Sequence, residues 1–487
     1  MTKLTNTDLA FKNIIDGKFF AASDGATIDV LSPSNGHVFT SIPRSGQLDV
    51  DKGIKAARRA FESGAWGKLT ALERGRLLMK LGEKILESHE ELAQLEALDT
   101  GKPMTQARAD ITAAARYFEF YGSAADKVHG ETIPYADGYT VAVVPEPYGV
   151  TGHIIPWNYP AQMFGRTLAP ALAMGNATVL KPAEEACLTP VKLAELALEA
   201  GFPPGAINVV TGYGHEAGAA LSEHPDIDFI SFTGSPDVGT IIQCAAARNH
   251  IGCVLELGGK SPQIVFSDAD LEQALPVMTN AIIQNSGQTC SAGSRVLVQQ
   301  GIFDQVKAEL VARFSEIRMG SHEMDLNCGP LISAKQQQRV KNFIDEAVAS
   351  GLPLLAQAQL SPDAPAEGFY QPAALFGPVP RDHILAREEV FGPVLVMIPF
   401  TDEADAIELA NDTDFGLAAG VWTKDGARQM RVANAVQGGQ VFINNYGAGA
   451  GIELPFGGVK KSGHGREKGF AALHEFSVTK TIVINHG

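Results

Sequence analysis

From about residue 148 the chain alternates short, wholly apolar runs with amphipathic ones. "YGVTGHIIPW" is apolar enough to form a strand buried on both faces, ending at Pro156. "QMFGRTLAPALAMG" carries its apolar residues at helical spacing and stops at Gly175. "NATVLKP" returns to strand. "TPVKLAELALEAG" predicts a helix capped by Thr189, with Pro190 in its first turn and Gly201 as its stop. "AINVVTG", "HEAGAALSEH", "IDFISFTG" and "SPDVGTIIQCAAAR" continue as strand, helix, strand and helix. Strand–helix–strand units of this length require a parallel sheet covered on both faces.

A second α/β stretch follows "ELGGKSP". It holds the strands "PQIVF" and "SRVLVQ", the helix "FDQVKAELVARFSEI" and the strand-rich run "FGPVLVMIPF". "AQAQLSPDAPAEG", rich in Pro, Ala and Asp, predicts a surface loop. Residues 60–120 are mostly helical, and "ALERGRLLMKLGEKILESHEELAQLEALDTGK" has amphipathic spacing. The pattern therefore predicts two α/β domains with a helical N-terminal layer.

Composition narrows the classes of partner. The chain has 487 residues, 45% of them hydrophobic and 19% charged, so it can bury a large core. A formal net charge of −16 leaves no cationic surplus to neutralise phosphates, which argues against a nucleic-acid partner. The five cysteines, Cys187, Cys244, Cys253, Cys290 and Cys328, are odd in number and include no C-x-x-C pair. Neither a disulfide framework nor a structural zinc site is expected, and no metal at all. "MTKLTNTDLAFKN" lacks the apolar core of a signal peptide, and no apolar run reaches the roughly 20 residues of a membrane span. The expectation is a protein of the reducing cytoplasm that does not enter membranes.

Two glycine clusters follow strands and open helices. "GYGHEAG", Gly212 to Gly218, is one residue too long for a dinucleotide fingerprint. "FTGSPDVG" sets Ser235 near a helix start, where free N–H groups and the helix dipole attract phosphate. Either could be a plain strand–helix turn needing positive φ; two in one sheet favour a nucleotide domain. In "KPAEE", Lys181 and Glu184 sit just past a strand end, where open α/β sheets bind ligands. A carboxylate there accepts ribose hydroxyls and repels a 2′-phosphate, unless the two residues are only a solvated pair.

"NSGQTCSAGSR" places the thiol of Cys290 among glycines and hydroxyl residues, whereas a free cysteine is ordinarily a small buried hydrophobe. In "VLELGGKSP", Glu256 ends an apolar strand before two glycines, so it should be desolvated and its pKa raised toward a base's range. In "IIPWNYP", Asn158 is either a turn former or an amide donor to an oxyanion. Thiol, base, amide donor and dinucleotide domain compose one reaction. A thiolate attacks an aldehyde, hydride leaves to nicotinamide, and the base activates water against the thioester.

With "PWNYP", "KPAEE", "FTGSPDVG", "LELGGKSP", "GQTCSAGSR", "EEVFGPV" and "PFGGVKKSGHGRE" in this order, the chain resembles the NAD(P)-dependent aldehyde dehydrogenases over nearly its full length. The resemblance implies the hydrolytic type, with Cys290 as nucleophile and Glu256 as base. Asn158 and the Cys290 backbone N–H would form the oxyanion hole. It implies NAD as cofactor, NADP being less expected. Phosphates would lie against Gly234 and Ser235 with Gly214 nearby, the adenosine ribose on Glu184 and Lys181, and the nicotinamide ribose on Glu389 beside Phe391. Ile154, Pro156, Trp157, Phe232, Val238 and Leu257 would complete the cofactor wall. The implied fold is α/β, aldehyde dehydrogenase-like, with two parallel-sheet domains: a Rossmann-like cofactor domain of residues 1–126 and 148–257 and a catalytic domain of residues 258–458. Residues 127–147 and 459–487 would be a β arm and C-terminal segment that pair subunits of a homodimer or homotetramer.

The positions matching the family's aldehyde tunnel are Tyr159, Gln162, Met163, Arg166, Gln284, Thr289, Ser291 and Phe456. Gln162, Gln284 and Arg166 are polar where relatives that prefer plain alkyl aldehydes carry aromatic or aliphatic residues. Arg166 has two readings, a site for a substrate carboxylate or an ion pair with Glu453 or Glu467. Thr167 stands where many members carry a lysine proposed to exchange protons with the base and with the carboxylate matching Glu467. A CoA-acylating relative and a non-catalytic one are the alternatives. The first generally lacks the glutamate and the second would have lost thiol or base.

Overall fold

The computed structural model describes residues 11–447 and 451–487, so the first ten residues of the stretch tested above for a signal peptide lie outside the described residues. Its two main sheets meet end to end. In the eight-stranded sheet the spatial order is Lys18–Phe20, Asn13–Ile15, Ile207–Val209, Ala177–Pro182, Val150–Ile155, Phe229–Thr233, Gly252–Glu256, Gly463–His464. The pairs from Ile207–Val209 to Gly252–Glu256 are parallel and the edge strands antiparallel. All six residues of Val150–Ile155 and of Ala177–Pro182 are buried, as helices on both faces require.

The seven-stranded sheet runs Leu354–Gln357, Ala374–Phe376, Val394–Phe400, Arg295–Gln299, Pro262–Val265, Ala418–Trp422, Gln440–Ile443. It is parallel except for its first pair. Residues 257–261 join the two sheets, so the carboxyl ends of the first sheet's strands face the amino ends of the second's. Every candidate catalytic residue lies at that junction.

Most of the predicted elements stand. The helix Pro160–Met174 ends on Gly175 at φ 98°, and Leu188–Ala200 ends on Gly201 at φ 98°, both left-handed conformations that glycine adopts without strain. The cap assigned to Thr189 is wrong. That helix starts two residues earlier, at Leu188 with Cys187 in the cap position, and its Leu188 N–H is satisfied by Asp99 Oδ2 at 3.0 Å, from the helix His89–Thr100. A cap supplied from a distant helix leaves no local signature. The expected loop around "AQAQLSPDAPAEG" also contains strand: Leu354–Gln357 pairs at the sheet edge and Gln359–Leu360 pairs with Arg318–Met319. "HEAGAALSEH" is a π-helical turn, Gly214–Gly218, followed by the short helix Ala219–Ser222.

Glu131–Ile133, Tyr139–Pro147 and Ser477–Asn485 form a separate antiparallel sheet, the last two in register from Ser477↔Pro147 to Asn485↔Tyr139. Successive residues Ile482, Val483 and Ile484 are 42%, 55% and 51% exposed, so both faces of this arm present apolar side chains. The segment leading into it does more than pair in the arm. Gly463–His464 closes the edge of the first sheet against Leu255 and Glu256.

Asn176 fixes that segment. Its Oδ1 accepts from Gly149 N at 3.1 Å, and its Nδ2 donates to Ala171 O at 3.0 Å and Phe476 O at 2.8 Å, all in the interior. Asn176→Leu would strand Gly149 N–H and Phe476 O at about 1–3 kcal/mol each, while Ala171 O keeps the Asn176 backbone N–H at 3.0 Å. We expect a loss of at least about 2 kcal/mol in chemical denaturation, and a midpoint within error of the parent would contradict it.

Candidate active site

The loop before Cys290 explains its polar composition. After the helix Leu271–Ile283, Asn285, Ser286 and Gly287 adopt left-handed φ values of 48°, 54° and 73° in succession. For a non-glycine residue that costs on the order of 1–2 kcal/mol, so side chains must hold the turn. Asn285 N–H donates to Gln106 Oε1 at 3.0 Å, Asn285 Nδ2 to Asn158 O at 2.9 Å, and Ser286 Oγ to Gly329 O at 2.8 Å. Gln288 Oε1 accepts from Ile332 N at 2.9 Å. Gly287 is required, since a Cβ there would lie 2.2 Å from Gly392 O. Downstream, Tyr446 Oη donates to Ser291 O at 2.6 Å. Cys290 emerges from this loop half-buried.

Glu256 is the last residue of the strand Gly252–Glu256 and is 1% exposed. The two glycines after it are needed for contact. A Cβ on Gly258 would lie 2.2 Å from Glu389 Oε2, and one on Gly259 2.4 Å from Cys290 O. Across the site, a Cβ on Gly457, in "PFGGVK", would lie 2.7 Å from Glu256 Oε1. Thiol loop, Glu256 and Glu389 thus converge on one crossover of the chain.

Asn158 is buried beside the thiol loop. Its Nδ2 donates to Gln288 O at 3.0 Å, leaving the second N–H of the amide available. Its carbonyl accepts from Lys102 Nζ at 3.1 Å. Lys102 belongs to a buried cluster that the sequence did not reveal, pairing with Glu96 at 3.1 Å and Asp110 at 2.5 Å and lying 4.6 Å from the Tyr159 ring centroid. Tyr159 Oη shares a hydrogen bond with Thr289 Oγ1 at 2.8 Å. Gln162, expected as a polar tunnel residue, donates its amide to Asp110 Oδ1 at 2.7 Å. Tyr159, Met163 and Phe456 are buried around the helix Pro160–Met174, whereas Gln284 is exposed.

Arg166 resolves in favour of a protein partner. Its Nε contacts Glu467 Oε2, its Nη2 is 3.6 Å from Glu256 Oε2, and its Cζ is 4.2 Å from the Phe456 ring centroid. Glu453 pairs instead with Arg116 at 2.6 Å. Thr167 Oγ1 bonds His153 Nδ1 at 2.6 Å and donates to Ser231 Oγ at 2.8 Å.

On the other side of the crossover, Ile154, Lys181, Phe232 and Leu257 are buried. Lys181 Nζ meets Glu184 Oε2 at 2.8 Å. Ser235 Oγ caps Val238 N–H of the helix Pro236–Arg248, and Gly234 N–H donates to Glu256 O at 3.0 Å. Val238 is 42% exposed on that first turn. A Cβ on Gly214 would meet nothing. Trp157, next to Pro156, packs edge-to-face on Phe391 with ring centroids 5.4 Å apart. Glu389 Oε1 accepts from Gly259 N at 2.8 Å; burial pushes its carboxyl up to about 7. Lys260, buried nearby, is pushed down to about 7 by burial and then by Arg295.

Burial dominates at the reacting groups. It pushes the Cys290 thiol up to about 11, with Arg166 and Lys468 pulling down and Glu256 and Glu389 up. It drives Glu256 well above the usual carboxylate range, with Glu467 adding to the rise and Arg166 opposing it. Lys468, another residue missed in the sequence, lies 5.2 Å from the Phe456 ring centroid; burial and then Arg166 push it down to about 8.

The profile of the aldehyde dehydrogenase family matches residues 19–482, and the chain belongs to that family. It is 42% identical over 470 residues to an aldehyde dehydrogenase of Emericella nidulans, covering 96% of this chain and 94% of that one. Among solved structures, a candidate aldehyde dehydrogenase from Burkholderia cenocepacia superposes with TM-score 0.97 at 59% identity, covering 98% and 100% of the two chains. The aldehyde dehydrogenase of Bacillus cereus in its NAD+ complex gives TM-score 0.96 at 41% identity, covering 99% and 97%. Among the described residues, no helix is long and apolar enough to cross a membrane.

With the thiol raised to about 11, little thiolate exists at neutral pH. Alkylation of Cys290 by iodoacetamide, followed on its own peptide by mass spectrometry, should accelerate about tenfold per pH unit from about 7 to 10. A plateau near pH 8 would contradict the raised value.

Proposed function

We propose that the chain oxidises an aldehyde to the carboxylic acid with NAD, through a covalent intermediate on Cys290. The observation that carries this reading is a buried Glu256, neither oxygen of which accepts a protein hydrogen bond, set across the Gly258–Gly259 turn from a half-buried thiol. Glu256 takes the thiol proton as sulfur attacks the carbonyl carbon. The second N–H of Asn158 and the Cys290 backbone N–H stabilise the oxyanion. When bound, NAD supplies the acceptor for the hydride that leaves the hemithioacetal. Once it has given up that first proton to solvent, Glu256 takes a proton from the water that attacks the thioester, the bond from carbon to the Cys290 sulfur breaks, and the acid departs.

The donor set suits a dinucleotide. The start of the helix Pro236–Arg248, with Gly234 and Ser235, would take phosphate. Glu184 and Lys181 would take one ribose, and Glu389, beside Phe391, the other. In this reading residues 1–126 and 148–257 are the cofactor domain and 258–458 the catalytic domain. The apolar arm of residues 127–147 and 477–485 pairs with a second copy, giving a homodimer or homotetramer. Five unpaired cysteines suit the cytoplasm.

Hydrolysis is favoured over transfer to CoA because Glu256 is present and buried, a base that transfer to a thiol does not need. Cys290→Ala should abolish NADH production from generic aldehydes while cofactor binding by fluorescence titration persists; a substantial residual rate would overturn the reading. Added CoA should not be required for turnover, and a dependence on it would favour the acylating alternative. The Glu184 carboxylate should oppose a 2′-phosphate, so kcat/KM with NAD should exceed that with NADP by about tenfold or more, a difference of about 1.4 kcal/mol. A higher value with NADP would contradict this.

A further inference from the structure

Arg166 is 5% exposed, and one edge of its guanidinium faces two carboxylates. Nε contacts Glu467, Nη2 lies 3.6 Å from Glu256, and the Phe456 ring centroid is 4.2 Å from its Cζ. We propose that Arg166 is a positioning residue for Glu256: held at Nε by Glu467 and standing 3.6 Å from Glu256, it sets, together with Glu467, the charge that Glu256 meets as it gains and loses a proton. The proposal rests on Glu256 being the base.

The asymmetry between the two carboxylates is built into the fold. Glu467 is clamped by a backbone bridge, Phe456 N–H to Glu467 O at 2.6 Å and Glu467 N–H to Phe456 O at 2.7 Å. Ser231 Oγ donates to Glu467 Oε1 at 3.4 Å. Ser231 accepts from Thr167, Thr167 bonds His153, and His153 Nε2 bonds Thr151 Oγ1 at 2.8 Å. Burial pushes His153 down to about 3, so this chain of neutral groups orients Glu467 without bringing a competing charge. The Glu256 backbone is held as well, by Gly234 N–H at 3.0 Å and by pairing with Gly463, but neither of its side-chain oxygens accepts a protein hydrogen bond.

The charges that Glu256 meets come from several elements. Glu256 faces Arg166 from the helix Pro160–Met174, and Arg466, Glu467 and Lys468 from the C-terminal segment. It also faces Cys290 from the thiol loop. Tyr117, from the helix Met104–Ala124, faces Arg166 and Glu467. Arg466 Nη1 is hydrogen-bonded to Gly458 O and Gly465 O, at 3.0 and 2.6 Å. A guanidinium stays charged throughout the working range and does not release or relay a proton. Burial and then the neighbouring Glu467 hold the proton on Glu256, and Arg166 opposes them. The folded-state value of Glu256 is raised, so the base is present above that value and lost as pH falls through it.

The test is the pH profile of steady-state NADH production under conditions where a burst shows hydrolysis to be limiting, for the parent, Glu467→Gln, and Glu467→Gln with Arg166→Met. Removing the anion gives Glu256 the whole of the Arg166 charge, so the acid limb of Glu467→Gln should move down by at least about one pH unit. Adding Arg166→Met removes the cation and should move the limb back up. The double variant leaves no unpaired charge from this pair of residues, and Glu467→Gln alone still decides the matter should the double variant not fold. An unmoved limb in Glu467→Gln would overturn the proposal. So would a double variant whose KM rises for a four-carbon aldehyde bearing a terminal carboxylate and not for the same aldehyde without it, since Arg166 would then bind substrate. Glu256→Gln separates the two readings: if the parent limb persists in it, Glu256 is not the base and the underlying function fails, whereas its disappearance leaves the Glu467→Gln result to judge Arg166.

Discussion

The site depends on a steric constraint at the crossover between the two sheets. Gly258 and Gly259 have no side chains, and the space is filled by the Glu389 carboxylate and the Cys290 carbonyl, at distances no Cβ would tolerate. Because the crossover follows directly on Glu256, that close approach fixes thiol loop, Glu256 and Glu389 relative to one another with few degrees of freedom. Gly457 repeats the device from the C-terminal side, allowing the Glu256 carboxylate against the backbone. Precision here comes from what is missing at three positions.

Two buried ionic clusters then stiffen what the glycines bring together. Lys102, with Glu96 and Asp110, braces the Asn158 carbonyl and the Tyr159 ring. Arg166, with Glu467 and Glu256, ties the helix Pro160–Met174 to the C-terminal segment. Removing one partner from such a pair costs about 3–5 kcal/mol, because it leaves a charge buried without compensation. The clusters differ in completeness. Lys102 hydrogen-bonds one oxygen of each carboxylate it touches, whereas Arg166 approaches Glu256 only to 3.6 Å. The first cluster is therefore the tighter of the two.

What the sequence revealed followed chain-local physics. Strand ends at Ile155, Pro182 and Glu256 and helix stops at Gly175 and Gly201 were readable because periodicity and glycine act within a few residues. The glycines around Glu256 and Cys290 were readable as exceptions in apolar or structured surroundings. Partnerships between distant segments were not. Thr189 read as a cap because nothing nearby announces that Asp99 does the capping. Gln162 stood out as a polar residue on a helix face, but its partner, Asp110, lies on another element; for Arg166 the sequence offered both Glu453 and Glu467, and only the fold decides for Glu467. Lys102, Tyr446 and Lys468 carry no motif and acquire meaning only from packing.

The central claim is that thiol and base divide one oxidation into formation and hydrolysis of a thioester on Cys290. It is tested most directly by rapidly quenching Glu256→Gln after mixing with NAD and an aldehyde, and weighing the Cys290 peptide. The account predicts that the peptide gains the mass of the acyl group, in an amount matching the NADH formed, and loses it slowly. A peptide that stays unmodified while NADH accumulates would contradict it.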